Sequence, residues 1–290
     1  MRLGGWMLLL ACMAIALQGM AWADETTLPL PTTTTTTPTA PPSAFSQLSK
    51  AEQDNLKEAI VAYNQGLLAF GQAQQAQQQG QLSVAIKGFR SAEGLFKAAL
   101  KFNPTLVEAQ SNLAYVALAQ QRYPQAVKAF KQALAMQPKH LASLQGLATA
   151  YSLQLPTVLT TPTLSAKQDG LLQQALDVLA QLQEAYPNHA LAWYNQGSLY
   201  QRVNNLPKAE TAYLQALERD PTLQQAWFNL ATLYETTQHW GDAQRAYQQA
   251  KQTGITTPIG LEALKRLEGL PQRQALTTTP PAATNDTPTP

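Results

Sequence analysis

Apolar and small residues recur through the middle of the chain in blocks 34 residues long. One block carries Trp193, Gln196-Gly197, Tyr200, Ala209, Tyr213, Ala216 and Pro221, and the next carries Trp227, Leu230-Ala231, Tyr234, Ala243, Tyr247 and Ala250. Gly197 and Tyr200, or Ala209, Tyr213 and Ala216, stand three or four apart, the period of a helix face. Pro104 and Pro138 share the spacing of Pro187 and Pro221. Weaker copies precede these. Leu113-Ala114, Ala126, Phe130, Ala133 and Pro138 make one; Leu147-Ala148 and Tyr151 open another, whose second half resumes at Ala175, Leu179, Leu182 and Pro187. The 15 extra residues from Leu155 to Asp169 read as a Thr/Pro-rich loop between its two helices. The first copy begins Tyr63-Asn64-Gln65-Gly66, ends Ala92, Phe96, Ala99, Pro104, and carries 14 extra residues. Seven added to each helix is close to two turns and keeps both faces in place, so this hairpin is expected to project, with its tip near Gly80.

These residues and spacings resemble the tetratricopeptide repeat (TPR), a 34-residue antiparallel helix pair. In that register, position 8 is Gly66, Ala114, Ala148, Gly197 and Ala231, and position 20 is Ala92, Ala126, Ala175, Ala209 and Ala243. Small side chains are expected there because the two helices of a pair approach closely. Pro124 and Pro207 fall at position 18, where a second helix starts and a missing N–H does no harm. The resemblance implies an all-α solenoid over 46–269, with repeats at 46–104, 105–138, 139–187, 188–221 and 222–255. A capping helix follows at 258–269, with Ile259, Leu261, Leu264 and Leu267 on one side.

The flanks differ in character. Arg2, the apolar stretch from Trp6 to Leu17 and Ala21-Trp22-Ala23 read as a secretory signal over 1–23. Gln18 and Gly19 interrupt the run short of a membrane span. Membrane contact is therefore expected only through this transient signal; the alternatives are an uncleaved anchor or lipidation at Cys12. The expected location is the periplasm or outside the cell. Segments 24–45 and 270–290 are rich in Thr and Pro, and read as disordered tethers.

Composition narrows the chemistry. The chain has 290 residues, 20 basic and 18 acidic, for a net charge of +2, so no general footprint for nucleic acid exists. Its 36 Gln nearly equal the 38 charged residues, and neutral amides carry much of its solubility. With three His and one Cys, and with His140, His189 and His239 each in an interhelical turn, no metal or other cofactor is expected. No phosphate loop, nucleophile elbow or zinc-binding helix motif is present. The chain reads as a binding protein and not an enzyme.

In the TPR family, positions 2, 5, 6, 9, 12 and 13 of the first helices face a concave groove that takes a peptide. Position 6 here is Asn64, Asn112, Asn195 and Asn229, broken by Gly146. An Asn amide has a donor and an acceptor and could bond both polar groups of a peptide backbone. This row is similar to the asparagine ladder of O-linked N-acetylglucosamine transferases; the competing reading is that it bonds only within the scaffold. Tyr194 and Phe228 at position 5, with Gln201, Arg202 and Glu235, complete the expected wall. Only Arg202 supplies the basic charge that clamps a terminal carboxylate, so a neutral segment of a protein or peptide is the expected partner. The alternative is a structural, self-assembling component of the envelope, with an empty groove and an oligomer made by the hairpin or a solenoid end.

Overall fold

A computed structural model describes residues 48–156 and 164–278. The signal, the first tether and the last twelve residues lie outside the described residues. Among those described there are eleven α-helices and no strand. They fall into two compact units, one ending at Ala185 and the other beginning at Tyr186.

The first unit contains α1 (Lys50–Gln78), α2 (Leu82–Phe102), α3 (Val107–Ala119), α4 (Tyr123–Met136), α5 (Leu141–Ser152) and α6 (Ala166–Ala185). The second contains α7 (Ala190–Arg202), α8 (Leu206–Arg219), α9 (Gln224–Thr236), α10 (Trp240–Thr253) and α11 (Pro258–Thr278). Consecutive helices pack as antiparallel pairs, and each unit is a stack of such pairs.

Close approach within the pairs explains the small residues. A Cβ placed on Gly66 would lie 2.7 Å from the Phe96 ring, and one on Gly197 would lie 2.6 Å from Tyr213. Ala92, Ala126, Ala175, Ala209 and Ala243 are fully buried. Pro124 and Pro207 sit in the first turns of α4 and α8. The fold class is thus the all-α, helix-pair solenoid that the register implies.

The turns are as regular as the helices. Gly80, Gln121, Asn204 and Gln238 have φ of 72°, 57°, 57° and 61°. Each follows a first helix and lets the next amide reach back: Gln81 to Ala76, Arg122 to Ala117, Asn205 to Tyr200 and His239 to Tyr234, all at 2.8 Å. This is the Schellman termination. Gly80 forms the tip of the long first hairpin, where the extra residues were expected to place it.

Two boundaries differ from expectation. The sequence pattern places loop from Leu155 through Asp169; residues 157–163 of it lie outside the described residues, and α6 already begins at Ala166. Ser165 and Gln168 cap one another there, at 2.7 and 3.4 Å, and start the helix early. At the other end, composition assigns residues 270–278 to a disordered tail, but they continue α11 through Pro271. Leu270 is buried, and the Arg273 side chain bonds the Arg266 carbonyl at 2.6 Å, within the turn that proline disturbs. Arg273 also pairs with Glu235 of α9 at 2.6 Å, which ties the extension to the core of the second unit.

Candidate functional site

The expected binding face is lined by first helices: α1, α3 and α5 in one unit, α7 and α9 in the other. Its side chains are largely committed to the scaffold. Asn112 is buried and donates through Nδ2 to the Tyr63 hydroxyl at 3.1 Å. Asn229 donates to the Tyr194 hydroxyl at 3.2 Å and to that of Tyr213 at 3.4 Å. The bonds to Tyr63 and Tyr194 are one interaction made twice. Position 6 of a repeat clasps the tyrosine at position 5 of the repeat before it. Where the second repeat has Ser111 at position 5, the third has Gly146 at position 6, so both halves of the clasp vanish together. The Phe130 ring takes up the space that a side chain on Gly146 would need.

Tyr194 therefore does not line an open wall. It is 4% exposed and packs with Tyr213, Ala226 and Leu230 in the core of its unit. Tyr213 is fully buried, and burial raises its hydroxyl far above the ordinary value, with Tyr194 adding to the effect. It donates to Gln201 Oε1 at 2.6 Å, so Gln201 is also engaged inward. In the first unit, burial and then Glu108 push Tyr63 up to about 12, and the Asn112 bond opposes them. Both tyrosines stay protonated at any physiological pH.

Glu235, a residue of the expected wall, anchors α11. It accepts from the Tyr247 hydroxyl at 2.7 Å and pairs with Arg273 at 2.6 Å and Arg266 at 3.7 Å. Phe228 is half-buried, with its ring edge-on to Tyr247 at 5.6 Å. Asn195 and Arg202 are half-buried on α7, and Asn64 is exposed on α1. Asn64, Asn195, Arg202 and Phe228 keep part of their surface exposed, and Asn112, Tyr194, Gln201, Asn229 and Glu235 make scaffold contacts. The clasp was visible in principle, because Tyr63 and Asn112, like Tyr194 and Asn229, occur together at adjacent positions of successive repeats.

The histidines are helix N-caps. His140 shares a hydrogen bond with Ser143 at 2.8 Å, and His239 one with Thr237 at 2.8 Å. Among the described residues no three His, Cys, Asp or Glu gather as a metal site, and no helix is long and apolar enough to cross a membrane.

Comparison with known proteins agrees with this geometry. Three tetratricopeptide-repeat family models match, over residues 107–140, 190–223 and 212–250. The chain contains tetratricopeptide repeats and has the fold of a protein-interaction scaffold. It is similar to a thermophilic TPR protein of Thermus thermophilus, at 26% identity and a TM-score of 0.52, over 69% of this chain and 99% of that one. The fold is also shared with the Pseudomonas aeruginosa pilF protein, at 16% identity and a TM-score of 0.54, over 77% and 90% of the two chains. A tetratricopeptide repeat protein of Parabacteroides merdae is 19% identical with a TM-score of 0.50, over 73% and 76%. No curated protein matches the sequence.

Proposed function

We propose that this chain is an exported, non-catalytic scaffold that holds a protein or peptide partner against the first helices of its repeats. The supporting observation is the half-buried, partly open surface of the second unit: Phe228 on α9 with Asn195 and Arg202 on α7. A partly exposed aromatic ring on α9, with amide and guanidinium groups on α7, suits a neutral segment carrying an apolar anchor. The clasp alters how a backbone would be held. Asn229 spends its amide hydrogens on tyrosines, so it has its carbonyl oxygen to offer and acts as an acceptor for a peptide N–H. Export rests on the signal-like pattern of residues 1–23 and places the partner in the periplasm or outside the cell.

Panning a random peptide library on the purified chain, followed by calorimetry with the peptides it selects, tests the reading. Phe228→Ala is expected to weaken the selected peptides by ~2 kcal/mol, and Asn195→Ala by ~0.5–1.5 kcal/mol. Selected peptides that bind Phe228→Ala and Asn195→Ala as tightly as the unaltered chain would move the site elsewhere.

A further inference from the structure

The outer face of α1 is patterned like an internal repeat, although among the described residues no repeat precedes it. Val61 and Leu68 stand at positions 3 and 10 and are 50% and 64% exposed. Their counterparts are Ala109 and Val116 on α3, Ser143 and Ala150 on α5, and Ala226 and Leu233 on α9, none more than 2% exposed. In those repeats the residues are covered from the preceding side. Asn64, at position 6, is the counterpart of Asn112 and Asn229, whose amides clasp a preceding tyrosine. The Asn64 amide is exposed and has no protein partner among the described residues. The last repeat, by contrast, is covered by α11. A terminal repeat ordinarily shows a polar outer face, and this one keeps two aliphatic side chains at its centre.

The stripe is a palindrome. Val61, Asn64, Gln65 and Leu68 read aliphatic, amide, amide, aliphatic about a midpoint between Asn64 and Gln65. We propose that this face pairs with the same face of a second copy, the two α1 helices crossing antiparallel about a two-fold axis at that midpoint. Val61 of each copy then meets Leu68 of the other, and the facing amides donate and accept in turn. Such an isologous contact needs a self-complementary patch. From Ala59 to Ile86 there is no Asp, Glu, Lys or Arg, so like charges are not brought together. Asp54, Lys57 and Glu58 fall opposite Gln75, Gln72 and Gly71, all uncharged. The rows 61–65 and 64–68 are i, i+4 ridges, the ridges that interdigitate when two helices cross obliquely. This contact uses the outer face of α1 and none of the second unit's binding surface, so it stands or falls independently of the peptide-binding reading.

Sedimentation velocity on the full chain, at concentrations from about 1 to 100 μM, is expected to show a dimer that dissociates on dilution. Leu68→Glu is expected to raise the dissociation constant at least tenfold, with helicity and melting of the single chain unchanged. In a Cys12→Ser background, Gln65→Cys is expected to cross-link two copies under mild oxidation, whereas Gln79→Cys, also exposed but near the hairpin tip, does not. A single-chain mass at every concentration, a dimer indifferent to Leu68→Glu, or cross-linking at position 79 in place of 65 overturns the proposal. If Leu68→Glu lowers helicity, the cross-linking pair decides.

Discussion

At the scale of single residues, a hydroxyl–amide pair recurs where one repeat meets the next. Asn112 is 3% exposed, so removing Tyr63's hydroxyl strands a buried amide and removing the amide strands a hydroxyl. Tyr63→Phe, Asn112→Ala and the double variant are expected to show a coupling of about 0.5–1.5 kcal/mol in denaturant unfolding. Additive effects would mean that the bond contributes nothing. The left-handed turn residues give a gain of the opposite sign. Gln121, Asn204 and Gln238 hold positive φ with a side chain present, which costs about 1 kcal/mol each. Gln121→Gly and Gln238→Gly are each expected to stabilise the fold by about 0.3–1 kcal/mol, even after the added freedom of the unfolded chain. A lower melting temperature in either variant would count against the strain.

At the scale of helices, the termini carry the chemistry. Desolvation lowers the His140 pKa, with Glu108 opposing, and desolvation alone lowers that of His189. Both stand at N-cap positions, where positive charge is unwelcome. In each, the folded pKa lies below the unfolded value near 6.5, so the unfolded chain binds more protons. The stability these groups contribute is present above about pH 6.5 and is lost as pH falls through the window below it. Melting temperature is expected to drop between about pH 7 and 5, and to drop less in the His140→Gln, His189→Gln variant. Carboxylates such as Glu93, whose pKa is lowered chiefly by its bond to Lys97, act in a lower window and are not confounding. The end of α11 depends on Arg273. Arg273→Ala is expected to cost about 1 kcal/mol and to speed amide exchange over residues 272–278, with α9 and α10 unaffected.

The helices were readable because their positions are dictated by volume: a ring at position 24 leaves room only for Gly or Ala at position 8. The face was less readable. Family spacing says which side of a helix Asn229 occupies, but its partner Tyr194 lies 35 residues away and emerges only when successive repeats are aligned in pairs. The inward bonds of Glu235 are hidden for a similar reason. Of its two cations, Arg266 lies in the expected capping helix, but Arg273, the nearer, lies beyond Pro271 in a stretch that composition alone assigns to a tail.

At the scale of the whole molecule, two compact units divide the described chain, and disturbance is expected to respect that division. Ala209 is fully buried between α7 and α8, and Ala209→Leu forces methylenes into a space made for a methyl. The cost is expected at roughly 1–3 kcal/mol. Hydrogen exchange should show the loss over residues 186–278, with protection of α2, α3 and α4 unchanged. Uniform loss in both units would contradict the division.

The Tyr–Asn clasp also makes the order of the repeats matter. Deleting residues 107–140 would set Tyr63 beside Gly146, which has no side chain to donate, and leave a half-buried hydroxyl unanswered. Deleting 107–189 would instead bring Asn195 into the place of Asn112 and restore the bond. Repeats of this chain are thus not freely interchangeable beads. At the two junctions that carry it, each repeat holds half of a two-residue word whose other half is spelled in its neighbour, and cutting or duplicating the array preserves its meaning only where both halves stay side by side.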